Sequence, residues 1–481
     1  MPATIIKKEI LENILSYRFP LFLIICVVLI VSSLYVNYLD YSKRVSDYNE
    51  QVRLTSNALA ASRMWDVVSG SVPLKGFRAP SALSIFAHGF ERSLPQYYEF
   101  QSDGFKPGET AIGDESILSI FGRFDFVFTV QMVISLIVLL FASDVISGEK
   151  EHGTLRSILS NRVPRYSLLL GKLFGGYVAV WIPLVIAVLL GVIVISATSF
   201  PLFESPNLLK VFIVFVAASL FILLYFTVGL MISSTATRSR TSLVAILLVW
   251  IFFQLIMPKL GDVISSIVYP VRTETVFSMQ KSLLLKTLDE EKGKLLGKQY
   301  EAIFGVGASV SSNPGTEEQR AKWDEFRNGV EDQYRVRKSQ QLAELEDVYQ
   351  MEKHTQQSLA NNLALVSPSA AFSRLLTDIC GTGEIEKMKY LEAVRAHQQT
   401  LQRELYSHVS RTTMIMPSGG TASRASIGKM VDLKTLPAFS ITSPTLGEIF
   451  LGNTGSLISL VFWLVAPFAV AYVRFVRYDV R

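Results

Sequence analysis

Residues 147–165, "SGEKEHGTLRSILSNRVPR", place charged, hydroxyl and glycine residues between two apolar stretches of a 481-residue chain. Gly148 and Gly153 have the spacing of the glycines in G-x-x-x-x-G-K-[ST], the loop that wraps nucleotide phosphates. Thr154 and Leu155 stand where the lysine and the hydroxyl belong. Without the lysine there is no charge for the outer phosphates, and without the hydroxyl no metal ligand. This stretch is therefore not an ATP site. Glu149, Glu151 and His152 are metal-ligand types, but their spacing follows no helical ligand pattern. His354, His397 and His408 lie in polar helical stretches, where a solvated histidine is the ordinary case. No catalytic residue, metal site or directly bound cofactor is expected, and the chain does not read as an enzyme.

The elements around this segment explain its setting. Half of the residues are apolar, and they are gathered in blocks. Six blocks reach the roughly 20 apolar residues that a helix needs to cross a bilayer: 19–38, 126–143, 173–198, 211–234, 243–261 and 454–473. None of these spans, the fifth taken as Leu243–Pro258, contains Asp, Glu, Lys, Arg or His. A secondary transporter ordinarily needs such groups at mid-membrane for coupling ions. Gln131 and Gln254 are the main polar side chains there, and both read as interhelical hydrogen bonders. The first block is too long for the apolar core of a signal peptide.

Short loops set the orientation. Lys7, Lys8 and Arg18 precede the first span. Lys150, Arg156, Arg162, Arg165 and Lys172 fall between the second and third, Arg238 and Arg240 between the fourth and fifth, and Arg474, Arg477 and Arg481 after the last. The short loop after the third span, "SFPLFESPN", has no basic residue. The positive-inside rule then places both termini and residues 144–172 in the cytoplasm, and the long loops 39–125 and 263–449 outside.

Residues 263–449 hold 22 Lys+Arg and 22 Asp+Glu, a balance unlike a nucleic-acid surface, so no nucleic-acid partner is expected. Trp323, Phe326, Val330 and Tyr334 recur at three or four residues, and the pattern resumes at Leu342, Leu345 and Tyr349 after Arg337 and Lys338. This predicts a long amphipathic helix rather than a strict coiled coil. "SPSAAFSRLLTDICG" predicts a helix capped by Ser367, with Pro368 in its first turn and Gly381 as its stop. The run 417–426, "PSGGTASRAS", reads as a flexible connection. The first loop reads as short elements and turns. Cys26 lies in an apolar run and Cys380 in a polar one, so no internal disulfide is expected. Cys380 is expected to be reachable from outside. At the N-terminus, Ile6, Ile10 and Ile14 recur at four-residue spacing beside Lys7, Lys8 and Glu12, which suits a helix lying in the membrane interface, or a plain extension of the first span. Within the opening segment, Leu155, Ile158 and Leu159 give a short helix an apolar stripe, limited by Pro164. Such a helix suits docking to a soluble partner; the alternative is a solvated turn whose charges set topology.

"ISGEKEHGTLRSILSNRVPRYSLLLGKLFGGY" resembles the cytoplasmic segment between the second and third spans of ABC type-2 exporter permeases. The shared features are the acidic-basic cluster Glu149, Lys150 and Glu151, then Gly153 and Thr154, a short helix, the break at Pro164, and Gly171–Lys172 leading into the next span. The long 263–449 insertion resembles that of a subgroup with a helical extracytoplasmic domain of unknown function. The resemblance implies an all-α integral membrane protein with six transmembrane helices, an interfacial helix (1–18) and a cytoplasmic tail (474–481), in a bacterial inner membrane. It implies a permease subunit of an exporter, or a subunit that passes motion to an extracytoplasmic protein without moving a solute. ATP would sit on a separate ATPase subunit, with a second permease copy or a paralogue completing the assembly in the lipid bilayer. The implied ATPase contact is Glu149, Lys150, Glu151, His152, Gly153, Thr154, Leu155, Arg156, Ile158, Leu159, Arg162, Pro164 and Arg165.

The purified chain is expected to hydrolyse no ATP, since it has no complete phosphate-binding loop. Phosphate release from a preparation shown to be free of other ATPases is the opposing result.

Overall fold

In hydrocarbon no water reaches backbone N–H and C=O groups, so long apolar stretches must close their hydrogen bonds internally, as helices. The computed structural model describes residues 2–62, 72–101, 104–108, 124–160, 164–198, 200–201, 205–305, 316–403 and 438–478. Its helices in chain order are α1 (Pro2–Leu15), α2 (Arg18–Ala61), α3 (Phe126–Glu151), α4 (Thr154–Ser160), α5 (Arg165–Ser196), α6 (Ser205–Thr235), α7 (Ser239–Val268), α8 (Glu274–Phe304), α9 (Glu317–Ala364), α10 (Pro368–Ile379), α11 (Glu384–Leu401), α12 (Leu446–Gly452) and α13 (Thr454–Val476). Six of them, α2, α3, α5, α6, α7 and α13, are long and apolar enough to cross a membrane. The chain is an all-α integral membrane protein in this sense. Its one sheet among the described residues is small: β1 (Leu74–Phe77), β2 (Tyr97–Gln101) and β3 (Gly104–Pro107), antiparallel in that order, with Leu74 opposite Phe100 and Tyr98 opposite Pro107.

Residues 1–258 and 365–481 form one compact unit, and Lys259–Ala364 forms a second. In the first, α6 is the central helix, with Phe221, Ile222, Tyr225 and Phe226 fully buried. It packs against α3 and α13, and α2 packs along α5 with Ile30 and Leu34 at the contact, while Phe22 meets Phe141 of α3 at 5.7 Å. Gly191 of α5 admits Leu34, whose Cδ1 would lie 2.6 Å from a Cβ there. The helix α2 has 44 residues. At 1.5 Å per residue it is about 66 Å long, roughly twice the hydrocarbon thickness, so much of it must project beyond the membrane.

Beside this projecting part, residues 78–94 pack through buried ions. Glu91 is paired with Arg44 (3.0 Å) and Arg78 (2.7 Å), and Arg44 also reaches Asp40 (3.0 Å) and Ser84 (2.9 Å). His88 is buried next to them. Desolvation first, then the Arg92 and Arg44 charges, push its imidazole down to about 3. It is therefore neutral, and Nε2–H donates to Asn37 Oδ1 at 2.8 Å.

The sequence-based division of the chain differs from this structure at 263–449. Residues from 365 onward belong with the spans, not with the helical unit before them. The reason is apolar packing. In α10, Phe372, Leu376 and Ile379 are fully buried, and Phe372 stacks on Phe221 of α6 with ring centroids 4.0 Å apart. In α11, Tyr390 and Val394 form a second core with Tyr98 and Phe100 of the sheet. Phe90 N–H donates to Thr382 O (2.7 Å) and the Thr382 hydroxyl to Ala87 O (2.8 Å). Gly89 allows this approach: its φ is +46°, and a Cβ there would stand 2.3 Å from Thr382 O. The two long loops are thus joined to each other, which no local pattern announces. The connection 417–426 lies outside the described residues.

The second unit is a helical hairpin, α8 against α9, with the end of α7. Phe277 stacks on Tyr349 at 4.2 Å, Arg337 pairs with Glu291 at 3.2 Å, and Tyr300 meets Trp323 edge-on at 5.2 Å. These pairs give a steady antiparallel register. Gly261 of α7 lies against α9, where a Cβ would be 2.6 Å from Ala360 O.

Cys380, expected to be reachable, is 1% exposed at the end of α10. Burial, followed by the Asp125 charge, pushes its thiol up. Both cysteines are free and buried. A membrane-impermeant maleimide should therefore label neither in intact cells and both after denaturation. Rapid native labelling of Cys380 is the result that contradicts this packing.

Candidate functional site

The opening segment is built from the end of α3 to the start of α5. α3 passes through a turn at 143–146 and ends in the helical turn Ser147–Glu151. The chain then reverses at Gly153, where φ is +73°, a conformation that costs glycine little and β-carbon residues more. α4 follows, and Pro164 precedes α5. Arg162 lies outside the described residues.

Three successive residues of the turn fan out by about 100° each, as helical winding requires, and each reaches a different helix. Glu149 Oε1 lies 2.7 Å from Lys172 Nζ on α5. Lys150 Nζ donates to the carbonyls of Ser234 and Ala236 at the end of α6, the latter at 3.1 Å. Glu151 Oε2 accepts the Ser239 N–H at 2.9 Å, at the start of α7, where a carboxylate also meets the positive end of the helix dipole. Ser233 Oγ accepts both Ile146 N–H and Ser147 N–H at 3.0 Å. At the far side of the segment, Arg165 donates to the carbonyls of Phe475, Val476 and Tyr478 at the end of α13. Arg18 of α2 pairs with Asp144 at 2.8 Å.

Lys172 is the centre of this arrangement. Its side chain is 3% exposed, and it pairs with Glu149 and, at 2.9 Å, with Glu9 of α1. A buried ammonium is tolerable only with such partners. Glycine places the second one. Gly171 and Gly175 lie four apart on α5, one turn from each other; added Cβ atoms would come within 2.6 Å of Ile5 Cγ2 and 2.5 Å of Glu9 Cβ. Without side chains there, α1 lies directly on α5, and Glu9 arrives at Lys172. Glu149 Oε2 is buried without a hydrogen-bond partner.

Leu155 of the expected docking stripe is fully buried in the chain's own core, and Ile158 and Leu159 are half-buried against it. The stripe faces inward because the spans offer it apolar surface at once. The side of the segment left exposed carries the polar side chains of Glu151, His152, Thr154 and Arg156, together with Gly153 and Pro164. Arg165 is half-buried on α13. Sequence reasoning singled out Glu149, Lys150, Glu151 and Arg165 for a partner; the structure uses each within the chain. It missed Glu9, Asp144, Ser233 and the role of Lys172. The four-residue glycine spacing beside Lys172 is the signal that pointed there. Among the described residues, no three His, Cys, Asp or Glu are placed to hold a metal ion.

This geometry gathers six helices long and apolar enough to cross a membrane at one end, around a short polar segment between the second and third. The sequence matches the family described as ABC-2 family transporter protein over residues 3–480. The chain belongs to that family. No relative among curated proteins matches it.

Replacing Lys172 by Met leaves two largely buried carboxylates, Glu9 and Glu149, without their cation. Breaking a buried ion pair in this way costs about 3–5 kcal/mol, so Lys172→Met should lower the thermal unfolding midpoint of the detergent-solubilised chain markedly. Lys172→Arg should lower it less, and Glu9→Leu with Glu149→Leu added to Lys172→Met should recover most of the loss. Equal midpoints for wild type and Lys172→Met would contradict the assignment.

Proposed function

We propose that the chain is the permease subunit of an ATP-driven exporter, and that the exposed side of residues 151–157 receives a separate ATPase subunit. The observation that carries this reading is the anchoring of that segment. Glu149, Lys150 and Glu151 tie it to α5, α6 and α7, and Lys172 carries the tie on to Glu9 of α1, so force applied to its polar side reaches several spans together instead of deforming a loop. Family membership supports an ATP-binding partner, and the missing lysine of the phosphate loop supports placing ATP on that partner. In this reading ATP-driven closure of the ATPase pushes the segment and reorients the spans. Six spans suit pairing with a second permease copy or a paralogue.

The basic residues Lys7, Lys8, Arg156, Arg238, Arg240 and Arg474 lie in segments that these ties hold at one end of the helices. This supports a cytoplasmic position for that end and for both termini, in a bacterial inner membrane. Residues 259–364 are then extracytoplasmic. Their organisation as a compact helical unit of their own favours a second use, in which the spans move this unit against an outer protein.

Docking is tested on the exposed side, not on the buried stripe. His152→Glu with Arg156→Glu should leave membrane insertion intact, since neither residue lies in a span. It should reduce co-purification of the ATPase on the order of tenfold or more. Lys322→Asp, on exposed α9, should change neither. Full ATPase binding and full coupled activity in the double variant would show that the partner docks elsewhere.

A further inference from the structure

Two stretches of the spanning helices depart from α-helical winding, and they are bonded to each other. Thr129–Ile134 in α3 and Phe252–Ile256 in α7 are both π-helical. A π turn inserts an extra residue, loosens the local ladder and leaves backbone groups for outside partners. Gln131 and Gln254 lie in these two stretches. Gln131 Nε2 donates to Gln254 Oε1 at 3.3 Å. Gln254 Nε2 in turn has three acceptors in reach: Gln131 O at 2.7 Å, Tyr225 Oη at 2.9 Å and Ser135 Oγ at 3.3 Å. Trp250 Nε1 donates to Ser135 Oγ at 3.0 Å, and the Ser135 hydroxyl donates to Gln131 O. One buried amide thus joins α3, α6 and α7.

The neighbouring carbonyl has a different set of partners. Phe253 O accepts the hydroxyls of Ser367 and Ser369, each at 2.8 Å, and both serines are fully buried. Ser367 precedes α10 as its N-cap residue, yet its hydroxyl makes no cap bond within that helix. The chain leaves the spanning unit at Pro258 and returns to it at Leu365. The residues just before departure and just after return are therefore fastened to one carbonyl of the π turn.

An apolar, regularly wound join would fill the same space without carbonyls to satisfy. What the π turns add is exchangeability. Gln254 has two N–H groups and three acceptors, so a small rotation of α7 against α3 swaps a partner instead of losing a bond. A bond that can be swapped presents a low barrier, and in a membrane interior that distinguishes a joint from a clamp.

We propose that the paired π turns are a joint that carries displacement of α3 into α7 and on to residues 259–364, with Gln254 as its positioning residue. The source of the displacement, at the far end of α3, rests on the ATPase docking proposed above; the joint itself does not.

Amide exchange of the full chain in lipid nanodiscs tests the joint without any partner. Gln254→Leu nearly keeps the volume and removes both donors. Exchange is expected to rise on the order of tenfold across 252–256, 129–135 and 365–370 together, because these segments share the amide and its neighbouring carbonyl. Ser367→Ala with Ser369→Ala keeps the amide and should raise exchange at 252–256 and 365–370 only. A rise confined to 252–256 for Gln254→Leu, or no rise, overturns the proposal. Should that variant fail to fold, Gln254→Asn, which keeps the amide but shortens its reach, is read on the same three segments. With the ATPase bound, spin labels at Ser160→Cys and Lys322→Cys should change separation on adding ATP in wild type and not in Gln254→Leu. An ATP-driven change that persists in the variant removes the transmission role. Loss of ATPase co-purification from the wild-type chain's 151–157 variants, or its retention, bears on docking alone and leaves the exchange result standing.

Discussion

A lysine at the start of an apolar helix cannot remain charged out of water unless carboxylates reach it. Lys172 meets that constraint with Glu9 and Glu149, and much of this end of the molecule follows from it. α1 must lie on α5, so Gly171 and Gly175 carry no side chain. The last turn of α3 must point Glu149 inward, and helical winding then sends Lys150 and Glu151 to α6 and α7. The triad carries one positive and two negative charges, with Glu149 Oε2 left unpartnered. Pairing of this kind offsets desolvation rather than exceeding it. Its effect is therefore better described as fixing which helices meet than as adding stability.

The same arrangement fastens a short surface segment to several spans at once. α4 alone is seven residues long, too short to hold a helical shape by propensity in water. Leu155 buried in the core and the ties of residues 149–151 hold it in place. Its apolar positions are spent on the chain's own spans, which leaves polar side chains for whatever arrives from solution. A surface of that kind recognises by charge and shape, and releases more readily than an apolar one.

Polar groups inside the spans follow a parallel logic at another depth. The hydrocarbon offers no water, so the amides of Gln131 and Gln254, the Tyr225 hydroxyl and the carbonyl of Phe253 must be satisfied by the protein. They are satisfied by one another and by two serines that come from far along the chain. Residues 259–364 are inserted at this point, so the departure and return of the chain are held together by bonds inside the spanning unit.

The sequence by itself determined the six spans, because length and apolarity in hydrocarbon leave a helix no alternative. It also determined the absence of a complete phosphate loop and the helix that begins after Ser367, whose proline and glycine signals are local. It identified Gln131 and Gln254 as interhelical hydrogen bonders, since an amide in a span has few other partners. Only the tertiary structure decided the rest. Leu155 reads as an exposed stripe by periodicity, but periodicity does not say which neighbour covers a face. Glu149 and Glu9 are 140 residues apart in sequence, and only the approach of α1 to α5 brings them to one lysine. Cys380 sits in a polar stretch yet is buried, because residues 365–403 find their apolar partners in α6 and in the sheet of the first loop. Such contacts depend on long-range packing, where the energy of a residue is set by what arrives beside it and not by its neighbours in the chain.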